Sequence, residues 1–213
     1  MLTVHHLGIS QSERIVWLCE ELGIPYELKL YKRQPVTMLA PPEIMALNRL
    51  GSAPVITDAE LVLAESGAIM EYIIAKYGEG RFALGPSHPD FAQYLYWFHF
   101  ANGTLQPAMG RSMVLRRLNL PADNPIAAAM TGRLERALGL VAKRLGAVPY
   151  FAGNEFTAAD IISVFSLTTM RFFMPVDLAP YANILRYLQR IGARPAYQRA
   201  MKKGDPEMTP MLT

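Results

Sequence analysis

The sequence predicts an α/β domain followed by an all-α domain, and three observations support this prediction. Short strand-like runs alternate with helical patterns in the first third of the chain, residues 78–89 contain three glycines and two prolines, and the patterns after them are helical. A strand–helix–strand unit followed by a hairpin and a helix forms a small sheet covered by helices. We therefore assign residues 1–78 to the first domain, 79–88 to a linker and 89–213 to the second domain.

The first three elements follow from hydrophobic spacing. A strand is predicted at Leu2–Leu7. A helix is predicted at Ser12–Leu22, because apolar residues recur there at the spacing of one helical face and Gly23 ends the pattern. Alternation resumes at Tyr26–Tyr31, which predicts a second strand.

The remaining elements of the first domain are short. A helix is predicted at Pro41–Leu47, since proline suits the first helical turn. Two strands are predicted at Val55–Thr57 and Leu61–Leu63, with a three-residue turn between them. A further helix begins at Glu65–Ser66.

The second domain is predicted to be helical throughout. The predicted helices are Phe91–Arg117, Ile126–Leu145, Ala158–Phe173, Ala182–Ile191 and Ala196–Lys202. Thr157 and Asp160 have the spacing of a capping box at the start of one of them. This spacing favours a folding role for Asp160 over a catalytic one.

Composition restricts the classes of function. Of the 213 residues, 51% are hydrophobic and 18% charged, which predicts a globular protein with a sizeable core. A net charge of +3 with scattered basic residues disfavours nucleic acid as a partner. The single cysteine, Cys19, cannot form an internal disulfide, and no Cys/His cluster predicts a metal site. Without a signal-peptide pattern or a long apolar run, we expect a cytoplasmic protein that does not enter membranes.

Five segments, in order and spacing, resemble the cytosolic glutathione transferase superfamily over nearly the whole chain. They are Ser10–Gly23, Asn48–Val55, Glu65–Ile69, Phe156–Ile161 and Ala193–Tyr197. The first of them is similar to bacterial and fungal serine-type members. The resemblance implies a thioredoxin-like (βαβαββα) domain followed by a C-terminal helical-bundle domain, a homodimer, and glutathione as co-substrate.

The resemblance also implies that a serine activates the glutathione thiol. Ser10 lies four residues before Arg14, where serine-type members place the activating hydroxyl, and Ser12 is the alternative. A hydroxyl donor at the start of a helix stabilises a thiolate by a hydrogen bond and by the favourable helix end. An ordinary helix N-cap is the alternative interpretation of either serine.

Two further segments are expected to bind the glutathione peptide. The resemblance implies a cis peptide bond at Ala53–Pro54, which lets the backbone of Ala53 pair with the cysteinyl backbone of glutathione. Ser66, at the start of a helix, would bind the γ-glutamyl carboxylate, and Glu65 would bind the neighbouring ammonium group.

The glycine end of glutathione needs a cation or polar donors. The sequence departs here from the common pattern, because Ser52 stands where the family frequently has lysine and Arg49 where it frequently has proline. Arg33 or Lys32, after the second strand, are the candidate cations, and Ser52 is kept among the candidate ligands.

A second substrate is expected in an apolar pocket, for which core packing is the alternative role of each candidate residue. The candidates are Ile9, Met109, Arg111, Met113 and Phe172. The favoured function is detoxification by conjugation of glutathione to hydrophobic electrophiles. Glutathione-dependent peroxide or disulfide reduction and a non-catalytic, protein-binding role are the alternatives. Cys19 lies on an apolar helix face and is predicted to be core, which disfavours cysteine chemistry.

Overall fold

A computed structural model describes residues 1–121 and 123–213 of the chain. They divide into two compact units, which are Met1–Ala83 with Gly192–Pro210, and Leu84–Ile191 with Met211–Thr213. The division after Ala83 lies within the predicted linker. Residues 192–210 differ from our prediction, because they pack with the first unit rather than with the helical one.

The first unit is built on a four-stranded mixed sheet. Its strands are β1 (Leu2–Leu7), β2 (Glu27–Tyr31), β3 (Val55–Asp58) and β4 (Leu61–Ala64). The strand order is β2-β1-β3-β4, in which β1 is parallel to β2 and antiparallel to β3, and β3 and β4 form a hairpin. Every residue of the central strand β1 is buried, so both of its faces are covered.

Helices make up most of the rest of the chain. They are α1 (Glu13–Leu22), α2 (Pro42–Leu47), α3 (Ser66–Tyr77), α4 (Phe91–Phe100), α5 (Gln106–Leu118), α6 (Pro125–Ala147), α7 (Ala158–Leu167), α8 (Ala182–Gly192) and α9 (Pro195–Gly204). The predicted class, a small mixed sheet with helices followed by a helical domain, is confirmed. Within the described residues, no helix is both long and apolar enough to cross a membrane.

Helix α1 lies at the centre of the first unit, and α9 packs along it. Cys19 on α1 is fully buried, and burial raises the pKa of its thiol, so the predicted core role is confirmed. The rings of Trp17 and Tyr197 meet edge to face, with centroids 4.9 Å apart. Arg194 donates two hydrogen bonds to Glu21, with N–O distances of 2.7 and 2.8 Å. These contacts explain why the last helix belongs to the first unit.

Two predicted long helices of the second unit are interrupted. A π-helical turn at Ala101–Leu105 separates α4 from α5, next to Pro107, which has no N–H to donate to the helical ladder. Helix α7 ends at Leu167 and is followed by a 3₁₀ turn at Thr169–Phe172. The backbone leaves the helical conformation at Thr168, whose hydroxyl donates to the carbonyl of Val164.

The predicted capping box of α7 is confirmed. The Thr157 hydroxyl accepts from the backbone of Ala159, and the backbone N–H of Thr157 donates to Asp160 at 2.9 Å. Asp160 is fully buried and also accepts from the N–H of Phe151 and the hydroxyl of Tyr187. Burial raises the pKa of Asp160 to about 6, although these hydrogen bonds oppose the shift. Asp160 therefore joins three segments of the second unit.

Candidate functional site

Both candidate serines lie between β1 and α1, in the first unit. Their hydroxyl oxygens are 2.7 Å apart. Ser12 has no exposed surface, and its Oγ accepts from the N–H of Leu7 and lies 2.9 Å from Nδ1 of His6. Ser10 keeps an exposed fraction of 6%. The Ser12 hydroxyl makes no capping hydrogen bond to α1, so capping does not account for its position.

The loop that carries Ser10 is clamped from two sides. Ile9 has a positive φ of 51°, which β-branched residues rarely adopt. Its N–H donates to Oδ1 of Asp205 at 2.8 Å, and its carbonyl accepts from Arg33 at 2.9 Å. Arg33 also donates to the carbonyls of Gly8 and Met38. Arg33, a predicted ligand of the glycine carboxylate, thus has an evident structural role in holding this loop.

Gln11 and Arg14 connect the serine loop with the other two predicted binding segments. Nε2 of Gln11 donates to the carbonyl of Ala53 at 3.0 Å. Nη1 of Arg14 donates to Oε1 of Gln11 at 3.0 Å and to Oγ of Ser66 at 3.1 Å. Arg14 is fully buried, and burial lowers its pKa to about 9, so it keeps its charge at neutral pH. These hydrogen bonds therefore join Ala53 and Ser66 to the segment that directly follows Ser10.

The segment around Ala53 has the predicted backbone form. The Ala53–Pro54 peptide bond is cis, as expected, and Ala53 is buried. Ser52 before it is exposed, and Nδ2 of Asn48 donates to its carbonyl at 2.9 Å and to its hydroxyl at 3.0 Å. Asn48 therefore orders the chain that leads into the cis bond.

Glu65 and Ser66 lie where β4 gives way to α3. Glu65 is exposed and has φ 72° and ψ 112°, a combination that non-glycine residues rarely adopt. Its carbonyl accepts the first backbone hydrogen bond of α3, from Ile69 at 2.9 Å. Ser66 is buried in the first turn of this twelve-residue helix. Such backbone strain persists where the surroundings impose it, commonly at ligand clamps.

The predicted pocket residues belong to both units and differ in exposure. Ile9 is half-buried in the first unit. In the second unit, Met109 is almost fully buried, Met113 is half-buried, and Arg111 and Phe172 are exposed. Other residues line two surface cavities of about 550 and 580 Å³ in that unit. Within the described part of the chain, no group of His, Cys, Asp and Glu side chains is placed to hold a metal ion.

Three residues near the candidate serines were not predicted from the sequence as part of the site. Gln11 and His6 lie close to the predicted serines, and their proximity in sequence was an available signal. Asp205 is 199 positions from His6, and its Oδ2 lies 3.1 Å from Nε2 of that ring. No local pattern indicates this contact, because it depends on α9 packing beside the sheet.

Comparison with known proteins gives consistent matches across the chain. The family models described as "Glutathione S-transferase, N-terminal domain" and "Glutathione S-transferase, C-terminal domain" match residues 10–76 and 100–195. "Glutathione S-transferase 3" of Schizosaccharomyces pombe is 35% identical over 220 residues, which cover 95% of this chain and 88% of that protein.

Solved structures show the same similarity. A glutathione S-transferase from Actinobacillus pleuropneumoniae superposes with a TM-score of 0.87 at 35% identity, covering 96% of this chain and 93% of that one. A glutathione transferase family member from Pseudomonas fluorescens, solved with two glutathione bound, has a TM-score of 0.76 at 23% identity. The match covers 94% of this chain and 92% of that one, and at this identity it shows a shared fold alone.

Proposed function

The chain belongs to the glutathione S-transferase family, and from this premise we propose that it binds glutathione on the first unit and joins its thiolate to hydrophobic electrophiles. One observation supports the proposal above all. The hydrogen bonds of Gln11, which follows Ser10 in the sequence, and of Arg14 join the serine loop to Ala53 and Ser66, which come from two other segments. We further propose that the protein is a serine-type member of the family.

In this proposal Ser10, rather than Ser12, donates to the sulfur. The Ser12 side chain is fully buried and hydrogen-bonded to the protein, whereas Ser10 keeps a small exposed surface. A thiol with a pKa of about 8.5 is mostly protonated at neutral pH. Lowering that pKa by about 2 units requires about 2.7 kcal/mol of preferential thiolate stabilisation, which a hydroxyl hydrogen bond beside a helix start can supply.

The γ-glutamyl group would lie at the start of α3. Ser66 is in the first turn of that helix, whose N-terminal end favours a carboxylate. The buried cation of Arg14, 3.1 Å from the Ser66 hydroxyl, adds positive potential at the same place. Glu65 is exposed beside it, where its carboxylate can pair with the ammonium group of the ligand.

The cysteinyl backbone of glutathione would pair with Ala53 in the manner of an added strand. For the glycine carboxylate, Ser52 and Arg33 remain the candidates. Ser52 is exposed, whereas Arg33 is partly used in binding three backbone carbonyls. The apolar pocket, the homodimer and the cytoplasmic location remain predictions.

The test combines calorimetric titration of glutathione with the ultraviolet absorbance of its bound thiolate against pH. We expect Ser10→Ala to raise the bound thiol pKa by about 2 units while glutathione still binds. Ser112→Ala is the matched control, because Ser112 is a buried serine of the second unit whose hydroxyl donates to the carbonyl of Ala108. An unchanged thiol pKa in Ser10→Ala would refute the role of Ser10, and absence of glutathione binding to the wild type would refute the function.

The acceptor is tested separately with a panel of aryl halides, epoxides and hydroperoxides. We expect turnover of the first two classes. Turnover confined to hydroperoxides would contradict conjugation and favour peroxidase activity. Cysteine chemistry is not expected, because burial of Cys19 raises the pKa of its thiol and keeps it from substrates.

A further inference from the structure

A hydrogen-bonded series of four polar side chains crosses the interior of the first unit and ends at Ser10. Asp205 Oδ2 lies 3.1 Å from Nε2 of His6, His6 Nδ1 lies 2.9 Å from Ser12 Oγ, and Ser12 Oγ lies 2.7 Å from Ser10 Oγ. His6 and Ser12 have no exposed surface, whereas the two ends keep exposed fractions of 6% at Ser10 and 8% at Asp205. This series therefore links the proposed thiol donor to a buried imidazole.

The donor and acceptor groups of these four side chains indicate where each proton lies along the series. The carboxylate of Asp205 only accepts, so Nε2 of His6 carries a hydrogen and donates to it. In the neutral ring, Nδ1 accepts from the Ser12 hydroxyl at 2.9 Å, a shorter contact than the 3.3 Å from the same hydroxyl to the carbonyl of Leu7. Ser12 Oγ has two lone pairs left, which accept from the N–H of Leu7 and from the Ser10 hydroxyl. Ser10 Oγ accepts from the N–H of Ser12 at 3.2 Å, and its remaining lone pair is free to accept from a thiol.

The Ser12, His6 and Asp205 side chains have the composition of a hydrolytic triad, but Ser12 cannot be a nucleophile. Its hydroxyl has no exposed surface, so no substrate carbonyl can reach it. The residue at the accessible end is Ser10, which acts on a thiol in the proposed function. The arrangement therefore fits transfer of a proton better than formation of an acyl-enzyme.

Resting on the proposed function, we propose that His6 takes up the proton of the glutathione thiol through the hydroxyls of Ser10 and Ser12. The S–H bond breaks as that proton binds Ser10 Oγ. The original Ser10 proton passes to Ser12 Oγ, and the original Ser12 proton passes to Nδ1 of His6. The products are a thiolate, two neutral serines and an imidazolium, so charge and atoms balance.

The reversed hydrogen bonds also suit the product state. Ser12 now donates to Ser10, and Ser10 donates its new proton to the thiolate. The imidazolium donates Nδ1–H to Ser12 and Nε2–H to Asp205, whose carboxylate stabilises the positive charge. When the conjugate leaves, the proton returns to solvent by the same route. His6 thus acts through the serines as a proton acceptor and does not touch the substrate.

Other charged and titratable groups lie near this series of side chains. The positive charge of Arg33 is attracted to the Asp205 carboxylate. On α9, Lys203 pairs with Glu20 of α1. His5, the preceding residue of β1, points to the opposite sheet face, where its ring nitrogens contact Tyr31 at 2.9 Å and Thr57 at 3.1 Å.

The first test counts protons. Glutathione is titrated into weakly buffered wild-type protein with a pH indicator, and thiolate is measured by ultraviolet absorbance in the same samples. S-Methylglutathione, which has no thiol, gives the proton release that binding of the rest of the peptide causes. After this subtraction we expect the wild type to release far fewer protons than it forms thiolates, since His6 keeps them.

His6→Gln is the informative variant, because its amide can donate to Asp205 but cannot become protonated at neutral pH. We expect it to release one proton for every thiolate formed and to need a higher pH to form the thiolate. His5→Gln, the same substitution on the opposite face of the same strand, is the matched control and should behave as wild type. An equal number of protons released per thiolate formed in His6→Gln and in the wild type would overturn the proposal.

The second test needs no variant. The ring ¹⁵N resonances of His6 in the wild-type protein should change to those of an imidazolium when glutathione binds, and should not change with S-methylglutathione. A neutral His6 in a complex that contains thiolate would overturn the relay and leave the proposed function intact. Failure of the wild type to bind glutathione or to form thiolate would instead contradict the proposed function.

Discussion

Glu65 provides a test that separates backbone strain from ligand binding. Its φ of 72° with ψ of 112° costs a non-glycine residue about 1–3 kcal/mol. Glycine has no Cβ and adopts positive φ freely, although it loses about 0.5–1 kcal/mol through the greater freedom of the unfolded chain. Glu65→Gly should therefore be about 1 kcal/mol more stable than Glu65→Ala, the control that removes the carboxylate and keeps the Cβ.

The comparison is made by urea unfolding of the wild type and both variants. We expect equal slopes and a higher midpoint for Glu65→Gly, because the strain is a property of the folded backbone. Calorimetric titration should show weaker glutathione binding in both variants, since both lack the carboxylate proposed to pair with the ammonium group. The strained conformation of Glu65 would then lower the stability of the protein while its side chain serves glutathione binding.

Two outcomes would contradict these expectations, one for the strain and one for the ligand. If Glu65→Gly is less stable than Glu65→Ala by the ordinary glycine penalty of about 0.5–1 kcal/mol, the position is not strained. If both variants bind glutathione as the wild type does, the strain has no connection with the ligand. The two readouts are independent, so each part of the reasoning can fail alone.

Two buried carboxylates should affect stability with opposite dependence on pH. Hydrogen bonds from Lys76 and two tyrosines lower the pKa of Asp58, so its contribution is present above the unfolded pKa and is lost as pH falls. The wild type should exceed Asp58→Asn in stability most at neutral pH, and a gap that widens below pH ~4 in urea unfolding would contradict this. Burial raises the pKa of Asp160 to about 6, so its contribution is full below the unfolded value of 3.8 and is lost as pH rises through about 6. The stability of the wild type relative to Asp160→Asn should therefore be greater at acidic than at neutral pH, by up to about 3 kcal/mol, and the opposite trend would show that the carboxylate is favoured in the core.

Local patterns predicted most of the elements because their causes are local. The apolar spacing of α1 ends at Gly23, which adopts the left-handed conformation predicted for a helix stop. The capping box of Thr157 and Asp160 needs only residues three positions apart. The interruptions at Ala101–Leu105 and at Thr168 were missed, because the apolar spacing continues through both.

Short sequence segments predict Ser10, Ala53 and Ser66 as site residues, and their binding roles stay predictions. The sequence could not decide between Ser10 and Ser12. Burial favours Ser10, since Ser12 is enclosed by Leu7 and His6. How much of a side chain is exposed depends on every element packed around it, and no single segment contains that information.

By itself, the sequence determined the fold class, the family resemblance and the residue types around the proposed thiol. Only the tertiary structure decided that α9 returns to the first unit, where Asp205 meets His6. Periodicity and capping report interactions within a few residues, whereas this hydrogen bond joins positions 199 residues apart. Such a contact requires the end of α9 to lie beside β1, so no local pattern could predict the hydrogen-bonded side chains from Asp205 to Ser10.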